Sequence, residues 1–513
     1  MESALKAFSD LFTEEYNTQR DHWEKALKTE LKLEDVSSNL VRKHIDLGAW
    51  PILSLEARAT HHLAGQTPWK KASQTYIHMN PEGLSESLKD DLNGGARTFF
   101  FHKDFFHESA WNSAAKVFRS YEEAKDIEVF LIGQKSMNAP KGFKVRDESQ
   151  MISARFVHEQ GGHNVHELAV LTLEFINKLS TYPTHAFVFL DSHFFKNIAK
   201  VRALKLLLQK VAKESGIGKI PKIVTLNSYR EWTLYERYSN LLRNNIQVAS
   251  GLIAGADVIQ SSGYQVIFDL DTNERDGEHD ERSQRMARNT SHILGLESML
   301  GLVDDAAFGS YHLEELSEQY AEAAWKLMQV LLSFNEIPRR EYLDSEIKKV
   351  RVERASRLKS RKDILTGIND FPNADEKLGL TLKESNLFRV ARDFEELRIK
   401  VEGLKDKPKV EILIHGELAG LNNRVSFIKN YFELIGLEVL DPIHNHDKID
   451  NKIIVLCAKD EDYPKLSAKY INEKAVAKYV AGKVNVTGHE AIHTGQNIYQ
   501  VLSALTQKMI GAQ

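Results

Sequence analysis

Short apolar runs alternate with longer amphipathic stretches from about residue 96 onward. Six runs rich in aromatic and β-branched residues begin near residues 97, 128, 151, 186, 222 and 257. Between the fourth and fifth runs, Ile198, Val201, Leu204 and Leu208 recur at helical spacing. This rhythm is typical of βα units on a parallel sheet. With room for one more unit on each side, it predicts an eight-stranded, TIM-type (β/α) barrel.

A second alternating pattern begins after residue 405. Its apolar runs VEILIH, LEVLDP, KIIVLCA and KVNVTG are separated by predicted helices around residues 425–434 and 464–478. In the last predicted helix, Ile498, Val501 and Leu505 fall on one face, which indicates that this helix packs on a core. The order of these elements predicts a flavodoxin-like domain.

The segment between the two patterns is dense in charge. Its sequence PRREYLDSEIKKVRVERASRLKSRKD contains few apolar residues, which favours a solvated helix or linker over a core element. We therefore divide the chain into an N-terminal arm (1–60), a barrel (61–335), a charged helical linker (336–405) and a flavodoxin-like domain (406–513).

The N-terminal arm carries its own apolar pattern. Phe8, Leu11 and Phe12 stand on one helical face, and Trp23 and Leu27 follow ahead of any barrel strand. Such an arm fits two roles equally well, as part of an interface with a partner chain or as a cap on its own barrel.

The composition is that of an ordinary globular protein. Of the 513 residues, 42% are apolar and 27% are charged, which excludes disordered and membrane-spanning classes. Lys and Arg number 68 against 72 Asp and Glu, so the chain has no electrostatic footprint for nucleic acid. The single cysteine, Cys457, and the lack of a secretory signal predict a reducing, cytoplasmic location.

The segment from His489 to His493 reads HEAIH and matches a zinc-protease motif. In such a protease the two histidines stand one helical turn apart and bind zinc, while the glutamate acts as general base. Here Gly488 and Gly495 flank the motif, and no Asp, Glu or His follows it to supply a third ligand. We expect no metal, and we interpret the segment as the strand-to-helix loop that opens the last helix.

Three histidines, His158, His163 and His166, lie close together beside Glu159 and Glu167. Clustered imidazoles can ligate a metal, but spacings of five and three residues suit no single helical face. We expect these residues on a loop at the carboxyl end of a barrel strand, where side chains reach the site.

Two other polar groups have competing interpretations. The paired carboxylates Asp304 and Asp305 suit acid-base chemistry, but a turn or helix entry explains them equally well. The segment around Arg237, Asn240 and Arg243 is too polar for simple amphipathy and indicates a buried or interfacial polar network. Anion binding by either arginine and a simple solvated face remain the alternatives.

Six segments spread along nearly the whole chain carry a family resemblance. They are AGQTPW (64–69), EQGGHNVHELA (159–169), YERYSNLLRNNIQVASGLIAGADVI (235–259), SQRMARNTSHIL (283–294), FGSYHLEEL (308–316) and RKDILTGIND (361–370). Together they resemble the methylmalonyl-CoA mutase family, in particular its small-subunit branch. The resemblance implies a (β/α) barrel that binds acyl-CoA, joined to a flavodoxin-like domain that binds adenosylcobalamin.

The resemblance also identifies the loop that would hold the cobalt. Catalytic members of the family carry D-x-H-x-x-G, whose His is the axial ligand and whose Asp orients it. The loop after VEILI reads HGELAG, so His415 replaces the Asp, Glu417 replaces the ligand His, and Gly420 is kept. The family's later Gly-Gly appears as Gly482 and Lys483, and a lysine side chain would intrude on the nucleotide tail. We therefore expect a degenerate cobalamin-binding domain and no cofactor on this chain.

The barrel half of the resemblance shows a similar loss. Catalytic members carry a Tyr-His pair whose His hydrogen-bonds the thioester carbonyl. Aligned through Glu159 and Gly161, that pair falls on Arg155 and Phe156, and an offset of two residues would leave His158 as a remnant.

The resemblance thus implies a non-catalytic chain that pairs with a large catalytic subunit. That partner would bind adenosylcobalamin and interconvert methylmalonyl-CoA and succinyl-CoA, so this chain would meet acyl-CoA only within the complex. Neither nucleic acid nor a membrane is an expected partner. Two alternatives remain: a catalytic acyl-CoA mutase chain with atypical cobalamin binding, and a zinc hydrolase built on HEAIH.

Overall fold

The computed structural model describes most of the chain beyond residue 150 and shorter stretches before it. The described residues are 22, 25–32, 42–50, 72–76, 81–102, 108–121, 124–132, 143–147, 150–272, 277–303, 305–385, 387–444 and 452–511. The AGQTPW segment, Phe8, Leu11, Phe12, Trp23 and Asp304 lie outside them. Leu27 lies in a helical stretch at residues 25–31 and is half-buried.

Strands and helices alternate through the first two thirds of the chain. In order they are β1 (Arg42–His44), β2 (Gly48–Trp50), β3 (Ala72–Tyr76), α1 (Pro81–Asn93), β4 (Ala96–His102), α2 (Glu108–Ser120), β5 (Glu128–Ile132), β6 (Lys144–Arg146), β7 (Met151–Ser153), α3 (Arg155–Glu159), α4 (Asn164–Asn177), β8 (His185–Leu190), α5 (Phe194–Glu214), β9 (Lys222–Asn227), α6 (Ser239–Ile253), β10 (Val258–Ile259), α7 (Val266–Asp271), α8 (Gly277–His292) and α9 (Tyr311–Ser333).

Eight of these strands are parallel and follow the order of the chain. One four-stranded sheet runs β3-β4-β5-β6 and a second runs β7-β8-β9-β10, while β1 and β2 form a separate antiparallel hairpin. The six apolar runs of the sequence are confirmed as β4, β5, β7, β8, β9 and β10. Helices between the strands cover the outer faces, as parallel sheets require.

One aromatic cluster joins the two sheets on their shared side. Phe99 and Phe101 of β4 pack toward the helices, whereas Phe100 between them points to the opposite face, because side chains alternate along a strand. Phe100 stacks on Phe130 with ring centroids 5.1 Å apart, and Phe130 lies 5.9 Å from Phe187. Large apolar side chains therefore fill the space between the sheets.

The charged segment forms two helices, α10 (Glu336–Lys359) and α11 (Arg392–Glu402). Most side chains of α10 are exposed, as predicted, and only Leu343, Ile347, Val350 and Leu358 are buried along it. The part just before and within α11 was not foreseen as a core element. There Arg389 is fully buried between Asp271 and Glu395, at 2.5 Å from each carboxylate. This ion-pair cluster attaches the segment to α7, and the domain boundaries themselves stay predictions.

The C-terminal part contains β11 (Lys409–Ile414), α12 (Leu418–Glu433), β12 (Lys452–Cys457), α13 (Tyr463–Tyr470), β13 (Ala477–Ala481), β14 (Glu490–Ile492) and α14 (Ile498–Gly511). The sheet order is β11-β12-β13-β14 with parallel pairing throughout. On the other side of β11, Val439 and Ile443 make isolated parallel bridges.

Two sequence predictions in this part are wrong. The helix predicted over 464–478 ends at Tyr470, and its last residues belong to β13; the predicted strand KVNVTG is a turn, and the strand follows it as β14. The reason is physical, since a short apolar run fits a buried strand or a helix equally well until its pairing partner is known.

Candidate functional site

Arg155 and Phe156 open α3 directly after β7, at the carboxyl end of that strand. The guanidinium of Arg155 lies 3.4 Å from Glu159 one helical turn later. The ring of Phe156 is 43% exposed. Because a phenyl ring has no hydrogen-bond donor, the position that the resemblance assigned to a histidine cannot polarise a carbonyl.

His158 is buried and fully engaged by protein groups. Its Nδ1 lies 2.8 Å from Glu167 Oε1, and its Nε2 lies 3.0 Å from Ser228 Oγ. Lys200 donates a 2.7 Å hydrogen bond to Glu167, and Arg230 donates to the His158 carbonyl. The Ser-His-Glu contacts match a catalytic triad in outline, but all three side chains are buried and Lys200 neutralises the carboxylate. We interpret the cluster as a structural charge network.

The surroundings shift the titration of this network. Burial lowers the pKa of His158 to about 4, although Glu167 opposes the shift. Burial raises the pKa of Glu167, but Lys200 and His158 outweigh it and lower the pKa to about 2. At neutral pH the imidazole is therefore uncharged and the carboxylate charged.

His163 and His166 belong to the start of α4 and form a stacked pair with ring centroids 3.7 Å apart. His163 is the N-cap residue, and its Nδ1 accepts the backbone N–H of His166. Burial and the second imidazole lower the pKa of His163 to about 3. Within the described part of the chain, neither histidine belongs to a group of three metal-ligating side chains.

The polar segment before and within α6 is a buried network, as one sequence interpretation held. Asn240 donates to the Thr233 carbonyl, and Arg243 donates to the side-chain oxygens of Thr233 and Asn240. Arg237 lies outside this network, with its guanidinium 5.0 Å from the ring centroid of Phe268.

The loop after β11 presents its side chains to solvent. His415 and Glu417 are both exposed, and Glu417 is the N-cap residue of α12 without making a side-chain cap hydrogen bond. Gly416 has a φ of 108°, which L-residues rarely adopt, and Gly420 lies in the first turn of the helix. Glu417 thus stands at the carboxyl edge of the sheet, directly after β11.

Arg424 of α12 bridges the ends of two neighbouring strands. Its Nη1 donates to the carbonyls of Ala458 after β12 (2.6 Å) and Ala481 of β13 (3.2 Å). The same nitrogen lies 3.0 Å from the Tyr463 hydroxyl, and Nη2 pairs with Asp460 at 2.7 Å. We call this set the Arg424 clamp; it lies across the carboxyl edge between β12 and β13.

Gly482 and Lys483 follow β13 beside the clamp. A Cβ at Gly482 would lie 3.5 Å from both Arg424 and Asp460, so a side chain there would contact the clamp. Lys483 is exposed.

The middle of HEAIH, Glu490–Ile492, forms the edge strand β14, with His489 and His493 at its two ends; the segment does not open the last helix, which starts five residues after His493, at Ile498. In a strand the two histidines are not one helical turn apart, so the zinc-protease geometry is absent. His489 Nδ1 lies 3.2 Å from Ser467 Oγ, and His493 Nδ1 lies 3.0 Å from the Thr494 carbonyl.

One group of side chains that could hold a metal was not predicted from the sequence. Asp191, His193 and Glu231 place their ligand atoms within 4.8 Å of one another. Asp191 directly follows β8, and Glu231 lies four residues after β9. The sequence could have indicated this group, because both carboxylates follow predicted neighbouring strands. The carboxyl ends of parallel strands lie at the same edge of the sheet, which brings such residues together. Both carboxylates already accept backbone N–H groups, from His193 and Ser192.

Residues 148–415, slightly more than half of the chain, match the family described as Methylmalonyl-CoA mutase. The chain belongs to this family, as the resemblance implied. Among the described residues, no helix has the length and apolar character needed to cross a membrane.

Curated relatives give the same family. The methylmalonyl-CoA mutase small subunit of Porphyromonas gingivalis is 27% identical over 62% of this chain and 57% of its own length. That of Streptomyces virginiae is 30% identical over 50% of this chain and 42% of its own length. The 2-hydroxyisobutanoyl-CoA mutase large subunit of Aquincola tertiaricarbonis is 23% identical over 51% of this chain and 49% of its own length. The chain spans about half the length of the curated relatives that it matches.

Proposed function

We propose that this chain is the non-catalytic small subunit of an adenosylcobalamin-dependent methylmalonyl-CoA mutase. Its partner, a large subunit with intact motifs, would bind the cofactor and interconvert methylmalonyl-CoA and succinyl-CoA in propionate metabolism. The role of this chain would be to form and stabilise the heterodimer. Support comes from the small subunits among its relatives. It also comes from Phe156 and Glu417, which stand where the resemblance implies the substrate-binding and cobalt-binding histidines.

The architecture that we propose is the one the family implies. Eight parallel strands in chain order, with one shared aromatic interior, suit a closed (β/α)8 barrel. In the C-terminal part, the segment around 439–443 would be the second strand of the sheet. The order would then be 2-1-3-4-5, which is flavodoxin-like.

The barrel residues support the non-catalytic role in two ways. Phe156 offers no donor for a thioester carbonyl, and Arg155 pairs with Glu159. The interior that would have to admit an acyl chain is packed by Phe100, Phe130 and their neighbours. An enzyme of this family needs the carbonyl held beside the cofactor, so both features disfavour turnover on this chain.

The Arg424 clamp, together with the exposed Glu417, carries the cofactor part of the proposal. In a chain of this family that binds adenosylcobalamin, a histidine of the loop after the first strand would hold the cobalt, and open space between the strand ends would admit the nucleotide tail. Glu417, which we align with that histidine, is an exposed carboxylate, and the Arg424 guanidinium is hydrogen-bonded across the strand ends where we expect the tail. A carboxylate is a poor substitute for imidazole on cobalt, and a clamped guanidinium occupies the space, so these residues do not fit the cofactor.

Equilibrium binding of adenosylcobalamin to the isolated chain tests this proposal. We expect no base-off cobalamin spectrum, no micromolar binding by calorimetry and no mutase activity. Glu417→His alone should not restore binding, because the clamp remains. The matched comparison is the triple variant Glu417→His, Arg424→Ala, Lys483→Gly, the only one that we expect to gain measurable affinity. Micromolar binding by the unaltered chain would contradict the proposal.

A catalytic chain with atypical cobalamin binding is the second candidate function. It is favoured by the similarity to the large subunit of 2-hydroxyisobutanoyl-CoA mutase, whose name concerns another short branched acyl-CoA. Saturable cobalamin uptake together with turnover of an acyl-CoA by the chain alone would establish it in place of the first.

A further inference from the structure

A cavity of about 780 Å³ opens beside the carboxyl ends of β8 and β9. Its walls come from the residues that precede and start α5, from the end of α10 and from residues 362–366. It is separate from the aromatic cluster between the two sheets, whose side chains do not line it. It is also separate from the loop after β11.

Cationic side chains outnumber carboxylates around this cavity. The cationic ones are Lys196, Arg243, Arg354, Arg357 and Lys362, and the carboxylates are Asp46, Glu231 and Asp363. Arg357 is neutralised by Asp363 through two hydrogen bonds of 2.6 and 2.8 Å. Arg243 donates to Thr233 and Asn240. Asp46 lies between Lys196 and Arg354, so five cations against three carboxylates leave a surplus of two positive charges around the cavity. Besides Arg243, the cations without a close hydrogen-bonded counter-charge are Lys196, Arg354 and the exposed Lys362.

Lys196 is the most deeply placed of these cations and the least well paired. Only 7% of the residue is exposed, and its Nζ lies 3.6 Å from Asp46 Oδ2, which is too long for a hydrogen bond. That same oxygen already accepts hydrogen bonds from Asn164 at 3.0 Å and Tyr320 at 2.9 Å. A buried ammonium without a close acceptor is costly, so an anion bound within hydrogen-bond distance of Lys196 would be stabilised there.

Arg354 and Ser192, on neighbouring walls of the cavity, also have polar atoms without hydrogen-bond partners in the described structure. Arg354 comes no closer to Asp46 than 3.8 Å, and its buried Nε has no hydrogen-bond partner in the described part of the structure. The buried Oγ of Ser192 also has none there. Both residues line the cavity, so donors from α10 and from the segment before α5 converge on one space.

The start of α5 adds to the positive potential. This helix is 21 residues long, and its N-cap residue His193 makes no side-chain cap hydrogen bond. The N–H groups of its first turn and the positive end of the helix dipole lie where Ser192, His193 and Lys196 line the cavity. An oxyanion placed there would meet helix, serine, lysine and arginine donors together.

We propose that this cavity is a binding site for a small phosphate- or carboxylate-bearing molecule, held by Lys196 and Arg354. The proposal does not depend on the proposed subunit role, because no residue of the aromatic cluster or of the Arg424 clamp is among those that line the cavity. His193 and Glu231 line the cavity, and their ligand atoms lie within 4.8 Å of those of Asp191. Binding through a metal ion at these three residues is therefore the competing outcome, which the test must distinguish.

The test is calorimetric titration of the full chain with pyrophosphate and, in a parallel arm, with citrate, both in low salt with EDTA. We expect saturable binding at one site with pyrophosphate, with citrate or with both, and the tighter ligand identifies the preferred oxyanion. Lys196→Met should weaken it by at least about tenfold, because one charge-assisted contact is removed while side-chain length is kept. Lys213→Met, an exposed lysine in the last turn of the same helix, is the matched control and should leave it unchanged.

Two further variants keep the test decisive. Arg354→Met, on a different helix, should weaken binding to a similar degree, and it replaces Lys196→Met if that variant does not fold. Lys362→Met at the exposed rim should weaken binding less. No saturable binding in either arm, equal binding by all variants, or binding that appears only when Mg²⁺ replaces EDTA would overturn the proposal.

Discussion

Glu167 is the carboxylate on which the buried charge network next to β7 depends. It contacts Lys200 at 2.7 Å and His158 at 2.8 Å, and all three side chains are almost completely buried. Removing one member of such a pair leaves the other charge buried without compensation, whereas removing both does not. The network therefore stabilises the fold only as a complete unit.

We expect Glu167→Gln to lower the free energy of unfolding by about 3 to 5 kcal/mol, because Lys200 loses its counter-charge. The double variant Glu167→Gln, Lys200→Met should be less destabilised than the sum of the two single variants. Urea denaturation measures all three. Glu174→Gln, which breaks a half-exposed ion pair on the same helix, is the control and should change stability by less than about 1 kcal/mol. Strict additivity of the two buried changes would contradict the network.

The same residues predict how stability depends on pH. Burial lowers the pKa of His158 to about 4, whereas a histidine in the unfolded chain titrates near about 6.5. Between these values only the unfolded chain binds the proton, so stability is lost as the pH falls. From pH 7 to pH 5 we expect a loss of roughly 1 to 2 kcal/mol from His158 alone, measured by urea denaturation at each pH.

His158→Gln should remove this part of the pH dependence, while losing some stability at every pH. His415→Gln, at an exposed site, serves as the control and should follow the unaltered chain. A slope that is the same with and without His158 would show that its protonation is not linked to unfolding.

At the scale of elements, β14 decides what HEAIH can do. The segment pairs with β13 on one side, and its histidines are separated by the strand and not by a helical turn. Three protein ligands are the usual minimum for a zinc site, and the segment supplies two imidazoles without a third partner in the described chain.

We therefore expect far less than one equivalent of zinc per chain. Elemental analysis of protein purified without an affinity tag measures it, with His489→Ala, His493→Ala as the comparison. A stoichiometric metal in the unaltered chain that disappears in the double variant would refute this prediction.

At the scale of the whole molecule, one stretch of surface is unusually apolar. Between α8 and α9, Ile293, Leu296, Met299, Leu302 and Val303 are each 47 to 63% exposed. Scattered exposed apolar residues are ordinary, but contiguous patches on monomers rarely exceed about 300 to 600 Å² and commonly mark protein contacts. If the chain is half of a heterodimer, this stretch is the described surface best suited to meet the partner.

We expect the double variant Met299→Asp, Leu302→Asp to weaken association with the large subunit by more than about tenfold, because charge would be buried in an apolar contact. Co-expression followed by size-exclusion chromatography measures it. Ile337→Asp, which changes a 73% exposed residue outside the stretch, is the control. Equal association by all forms would exclude this surface. A chain that stays monomeric beside its partner would exclude the subunit role itself.

A variant beginning at residue 30 separates the two roles of the N-terminal arm. If the arm belongs to the interface, the shortened chain should lose its partner while its own unfolding is unchanged. If the arm caps its own barrel, unfolding should shift even in the absence of the partner.

What the sequence determined by itself is most of the local elements and the family. The strands near residues 97, 128, 151, 186, 222 and 257 were readable because each is a short apolar run bounded by turns and followed by a helical pattern. Phe156 and Glu417 were also identified from the sequence, as the residues that stand where the resemblance implies a histidine; the loss of function at both positions stays a prediction.

Only the tertiary structure decided which distant side chains meet. Arg424 reaches Ala458 and Ala481 across two strand ends, and Lys196 faces Asp46 from 150 residues away. Likewise, HEAIH became a strand because β13 offered a parallel edge, which no local pattern encodes. The physical reason is the same in each case. The spacing of apolar residues along the chain predicts which side chains share one face of a single helix or strand. Ion pairs and strand pairing depend on residues far apart in the sequence that folding brings together.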